Sequence, residues 1–281
     1  MASKKQEVAK TGDQLPAYLQ DYEGPMGAEK IEVEDVEIPR IKLAQGTSPE
    51  VKDGSIPEGA LFLNITGEVL AAPGDPLNIV VVGQSKEFIL WKDQNFEGGG
   101  IFARAQKVEV DGEAEYEWDK QGQSFENKIK GVLPVTWTTG RYVSDNKMDK
   151  FGSSDVNDVD SVPAATAHFN YVVLLPDHDN IVAAISLSNS AHKRGKKFNA
   201  LLKMPSKAPT FARVYAITSD DCTNPANQIY KNWVFKPAGL VVEGLFPITL
   251  DLFKQFDRES FVVDQTNSEG DAAEGATGGK F

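Results

Sequence analysis

From Pro39 to Thr139 the chain repeats one pattern: short runs rich in β-branched and aromatic residues, broken by Gly, Pro, Asp and Asn. Such runs suit a pleated, half-buried backbone, so the pattern predicts a mainly β fold. The predicted strands cover residues 39–45, 60–64, 67–71, 77–84, 87–92, 101–110 and 129–139. The stretches EGGGIF and DGEAEYEW read as hairpin turns with charged outer strands.

The order of elements after residue 129 narrows the fold further. A strand ending in VTWTT leads into an Asp- and Ser-rich loop over 144–162, and HFNYVVLLP and IVAAISLS then form a hairpin around the turn DHDN. A helix is predicted from Ser190 to Met204, with Phe198, Leu201 and Leu202 on one face, Ser188 or Ser190 as its cap and Pro205 as its stop. Strands FARVYAITS and IYKNWVFK follow, and a last helix, TLDLFKQFDRE, packs back through Leu252, Phe253 and Phe256. Strand, strand, strand, helix, strand, strand is the order of an OB-fold barrel, a scaffold that binds oligonucleotides or oligosaccharides on one face. The expectation is a mainly β (α+β) chain: an OB-fold-like barrel over 128–237 with extra N-terminal strands over 38–118, one inserted helix and a C-terminal helix over 247–258. A flexible acidic arm over 1–37, with a short helix over 15–22, and an unfolded acidic tail over 263–281 flank the β-rich domain at 38–262.

Charge is distributed unevenly. The 281 residues carry a formal charge of −12, yet no Asp or Glu occurs from Asn180 to Ser219, where Lys193, Arg194, Lys196, Lys197, Lys203, Lys207 and Arg213 all fall. A helix face kept only for solubility usually alternates in sign, so the acid-free window points to a phosphate-binding face. The negative net charge does not forbid this, because charges farther than about 8 Å are screened at physiological salt. If the polyanion is a nucleic acid, rings should lie close by to stack on bases. Candidates are Trp137, Tyr142, Phe169, Tyr171, Tyr215 and Trp233, with Arg141 beside Tyr142. Alternation along HFNYVV puts Phe169 and Tyr171 on the same side of their strand.

The tail carries Asp264, Glu269, Asp271 and Glu274 and ends on Phe281. Flexible acid can occupy the chain's own basic cleft, and a terminal aromatic with its carboxylate can dock on a partner, here through Phe281, Asp271 and Glu274. Together with IPRIKLAQGTSPEV, GALFLNITGEVL and ISLSNSAHKRGKKFNALL, this combination resembles the single-stranded-DNA-binding proteins of bacteriophages, which join an OB-fold to an acidic tail ending in Phe. The tail departs from that pattern in being less acidic and in placing Lys280 beside Phe281.

The chemistry of catalysis is thin. His168, His178, His192 and Cys222 have no metal-ligand spacing, and no P-loop, nucleophile elbow or HExxH occurs. The Asp-rich loop has oxygen ligands but no EF-hand spacing and reads as solvated. No enzyme, cofactor or metal is therefore expected. A lone cysteine and the lack of an apolar signal core or membrane span lead to an expectation of the cytoplasm. The expected partners are single-stranded DNA and, through the tail, replication proteins, with a homodimer allowed and no membrane. The expected function is sequence-independent single-stranded-DNA binding in phage-type replication or recombination. The rival is a virion structural or assembly protein, and strand annealing is a variant of the first reading.

Overall fold

The computed structural model describes residues 37–92, 100–127, 135–154, 158–224 and 226–258. The arm through residue 36, with its expected helix, and the tail bearing Asp271, Glu274 and Phe281 lie outside the described residues, as do residues 93–99 with the start of the expected EGGGIF turn.

The central strand of the large sheet is β4 (Leu77–Trp91), fifteen residues without a proline. The sequence pattern predicts two strands here, split at Ser85–Lys86. The structure runs straight through, because Gln84, Ser85 and Lys86 pair with Tyr171, Asn170 and Phe169 of β9 (Ala165–Leu175). Val82 is an extra residue in that ladder, which shifts register between Val81 and Gly83. The bulge changes which residues face which way. Before it Leu77, Ile79 and Val81 join the main core, and after it Phe88 and Leu90 line a second core on the same side of the sheet.

β9 continues into β10 (Ile181–Leu187) as the predicted antiparallel hairpin. On its other edge β4 is shared by two strands. Leu77–Val80 pair with β11 (Arg213–Thr223), itself paired to β12 (Ile229–Leu240), whereas Glu87–Trp91 pair with β5 (Ile101–Val110). β6 (Glu113–Trp118) extends the sheet beyond β5 through a turn in which Asp111 and Gly112 both have positive φ, of 51° and 82°. That is the backbone of the tight hairpin turn for which Asp-Gly is favoured.

The N-terminal strands form a small sheet of β1 (Ile41–Leu43), β2 (Leu61–Leu63) and β3 (Val69–Ala71), with a one-turn helix α1 (Pro49–Lys52) in the β1–β2 connection. This sheet lends Ile41, Leu43, Leu61, Leu63 and Leu70 to the main core. β1 reaches both edges of the large sheet. Arg40 makes a parallel bridge to Ala184 of β10, and the Gln45 side-chain amide donates to Lys231 O at 2.9 Å and accepts from Lys231 N at 3.0 Å. One amide side chain thus pairs with the β12 edge as a peptide group would.

The helices lie where the periodicity places them. Phe198 and Leu202 of α2 (His192–Lys203) are buried in the main core, and Leu201 is partly covered. The Phe198 ring stacks on Phe235 at 4.1 Å and lies edge-on to Tyr215 at 5.4 Å. Neither Ser188 nor Ser190 caps the helix with its side chain; a 3-10 turn over Asn189–Ala191 leads directly into it. On the other side of the sheet α3 (Phe246–Arg258) packs Leu252 and Phe256 against a cluster that includes Val80, Val82, Val172 and Leu174, while Phe253 meets Phe211 at 4.7 Å.

The mainly β, α+β expectation therefore holds, with both helices in place. One strand of the expected barrel is placed differently. Of residues 129–139, β8 (Val135–Thr138) pairs, among the described residues, only with β7 (Ser124–Asn127), and β4 stands between β9 and β11 instead. Pro134, at the head of that segment, cannot donate to a ladder and suits a central strand poorly. Among the described residues no helix is long and apolar enough to cross a membrane.

Candidate nucleic-acid interface

α2 divides its residues sharply. Gly195, Phe198 and Leu202 face inward, while Lys193, Lys196, Lys197 and Lys203 are exposed, with Lys207 exposed just beyond the helix. Gly195 is required by packing. A Cβ there would lie 2.6 Å from Cδ2 of Phe169, so the bare backbone lets the helix settle on that ring. Among the described residues no carboxylate lies within ion-pair distance of Lys193, Lys196, Lys197, Lys203 or Lys207. The ion pairs that do form, such as Arg104–Glu87, Arg141–Glu117 and Lys231–Asp221, belong to other parts of the molecule.

The arginines of the acid-free window have structural partners. Arg194 Nη2 donates to Cys222 Sγ at 3.2 Å, and Arg213 Nη2 donates to Leu202 O at 2.6 Å, holding the last turn of α2 to the start of β11. Arg141 is exposed, but its Nε donates to Glu117 at 2.9 Å and its guanidinium lies 5.0 Å from the centre of the Tyr142 ring.

The aromatic expectation needs correction. Trp137, Tyr171, Tyr215 and Trp233 are buried in the two cores and offer no ring face to a base. Tyr171 donates its hydroxyl to Asn199 Oδ1 at 2.8 Å, under α2. Phe169 and Tyr171 do share a side of β9, as alternation predicts, but that side is roofed by α2. Alternation reports which residues point together and not which face is covered. Of the candidate rings Phe169 and Tyr142 keep some exposure, and so does the neighbouring Tyr116. Phe169 lies parallel to the His192 imidazole, with centroids 4.8 Å apart and planes within 9°.

Lys86 is the residue the sequence pattern misses. It pairs across the ladder with Phe169, which pairs in turn with Leu187, so all three project to the α2 side. Its ammonium sits over the rings of Phe88 at 4.4 Å and Tyr116 at 4.7 Å. Burial pushes the Lys86 pKa down. Asp149 opposes that shift, and Lys196 and Lys150 add to it. Burial likewise lowers the His192 pKa, with Lys196 and Lys86 contributing. Lys86, Lys150, Lys196 and His192 therefore converge from β4, the loop before β9 and α2, at the seam between the two cores. In sequence Lys86 lies in the polar break GQSKE between two apolar runs, which reads equally well as a turn.

On the opposite side of β9 a buried polar layer holds the sheet. Asn170 Nδ2 donates to Glu87 at 2.7 Å, Arg104 pairs with the same carboxylate at 3.4 Å, and His168 Nδ1 meets Ser186 Oγ at 3.2 Å. Burial, then the charges of Arg104, Arg40 and His192, hold the His168 pKa down at about 3. This layer is closed to solvent and reads as structural. Among the described residues no group of His, Cys, Asp and Glu is placed to hold a metal ion.

No curated protein and no solved structure matches the chain. A family model described as Pam3 phage gp34-like protein matches residues 5–261, nearly the whole length, so the chain belongs to that family of bacteriophage proteins.

Proposed function

We propose that this phage protein is a non-catalytic module that binds single-stranded DNA without sequence preference during replication or recombination. The observation that carries the reading is the exposed row of Lys193, Lys196 and Lys197 on α2, with no carboxylate opposing it among the described residues. In a protein of net charge −12 such a row is a local positive patch that attracts an anion. With most of the candidate rings buried, binding rests on phosphate neutralisation more than on stacking, and that favours sequence independence. Phe169 and Tyr142 remain as partial platforms, and the acidic tail with Asp271, Glu274 and Phe281 competes for the lysine face and meets other replication proteins.

Fluorescence anisotropy with a labelled oligothymidine, titrated at several salt concentrations, tests this. Three to five neutralised phosphates give a slope of log K against log salt of roughly −2 to −3.5. No binding at low salt, in the full chain and in a chain ending at residue 263, overturns the reading.

A second reading, a virion structural or assembly component, is favoured by a different surface. Leu240, Val242 and Ile248 are exposed around a groove of about 570 Å³ between the end of β12 and the start of α3, and Phe246 of α3 is exposed as well. Apolar patches of this kind mark protein contacts. Sedimentation showing a stable large oligomer without DNA affinity selects that reading.

A further inference from the structure

We propose that Lys86, Lys196 and His192 form a pocket for a single phosphodiester group at the seam between the two cores, anchoring the strand there. The inference rests on the single-strand-binding reading and adds a defined contact to it.

The geometry comes from three separate segments. The Val82 bulge sets the parity of β4 so that Lys86 points toward α2, beside Phe169. Gly195 lets α2 descend onto Phe169, and the first helical residue, His192, then lies flat on the same ring at 4.8 Å. Lys196, one turn farther along, is close enough to act electrostatically on both Lys86 and His192.

The pocket holds one counter-charge, Asp149, against Lys86, Lys196 and Lys150. The Lys86 ammonium has two ring faces within 5 Å, but among the described residues no oxygen accepts any of its three N–H donors. Asp149 is the carboxylate that acts on it, and that side chain is already 2.6 Å from Lys150. Ring faces compensate a half-buried ammonium only in part. A tetrahedral oxyanion would accept the unused donors and relieve the mutual repulsion of Lys86, Lys196 and Lys150. The planar His192–Phe169 pair lies where a base next to that phosphate would come.

Binding is then coupled to a proton. In the free protein His192 is held neutral near pH 7, since burial and the two lysines lower its pKa below the ordinary value of 6.5. The charged groups that act on it are Lys196 from its own helix and Lys86 from β4, while His192 in turn acts on His168 across β9. A bound phosphate raises the His192 pKa. Affinity is therefore greatest below the free value and declines as pH rises through the bound value.

The test measures oligothymidine affinity from roughly pH 5.5 to 8, with thermal unfolding recorded for each variant. Lys86→Met is expected to lose about tenfold or more, the scale of one charge-assisted contact, and Lys86→Arg to recover most of it. His192→Phe should keep the ring stack and flatten the pH profile. Should Lys86→Met fail to fold, Lys196→Met at an exposed position reads the same contact. If the wild-type chain does not bind, the underlying reading fails. If it binds, and Lys193→Ala/Lys197→Ala weakens it while the Lys86, Lys196 and His192 variants keep wild-type affinity and pH profile, the pocket alone is overturned.

Discussion

Two regions of this protein carry comparable numbers of cations and use them in opposite ways. Around β5, β6 and the loop after β8 three cations have a carboxylate within reach: Arg104 on Glu87, Arg141 on Glu117, Lys150 on Asp149. Along the outer face of α2 the lysines have none among the described residues. Paired charge belongs to the fold, and unopposed charge is free for a ligand. The distinction is local, and it cannot be read from the net charge of the chain.

Breaking the paired side should cost stability and spare binding. The largest effect is expected for Arg104→Met, which leaves the 5% exposed Glu87 carboxylate with Asn170 as its remaining partner described here. Removing one member of a buried pair costs about 3–5 kcal/mol, read as a lowered denaturation midpoint with oligothymidine affinity unchanged in the folded fraction. The unopposed side should behave in reverse. Reversing Lys193, Lys196 and Lys197 to Glu is expected to weaken binding more than about a hundredfold, close to 3 kcal/mol, with the melting temperature nearly unmoved. A collapse of stability instead would show that those lysines belong to the fold.

Smaller effects sharpen the same contrast. His168, beside Arg104 in the paired region, has a folded pKa depressed to about 3 against an ordinary 6.5. The unfolded chain binds a proton there first, so stability present above pH 6.5 is lost as pH falls toward 3, at up to about 1.4 kcal/mol per unit. Urea unfolding at stepped pH should show that slope, and His168→Gln should reduce it. Least of all, Arg141→Ala removes an exposed pair with Glu117, and neither melting temperature nor DNA affinity should change measurably. A clear loss of binding there would move the interface toward Tyr142 and unsettle the division.

Local patterns were legible and long-range ones were not. The spacing of Phe198, Leu201 and Leu202 located α2, and the run before DHDN located the β9–β10 hairpin, because both depend on neighbours within a few residues. The acid-free window is a linear property, and its lysines do share an exposed face. What stayed hidden depends on pairing across the sheet. Lys86 acts electrostatically on His192 because β4 lies beside β9 and because one extra residue turns its parity. The rings of Trp137 and Tyr171 could be assigned to faces, but not to the covered faces they occupy. The arginines looked as available as the lysines, since nothing in sequence reveals that Cys222 and the Leu202 carbonyl wait for them.

The Gln45 amide on Lys231 has a consequence for the protein at high concentration. A free strand border invites another chain to add on and polymerise, and natural sheets blunt such borders. Here a side chain already takes the peptide positions at Lys231, and Pro237 interrupts the remaining length of β12. Copies crowded together thus find no unbroken stretch of that border to extend, and Gln45→Ala would reopen one of its rungs.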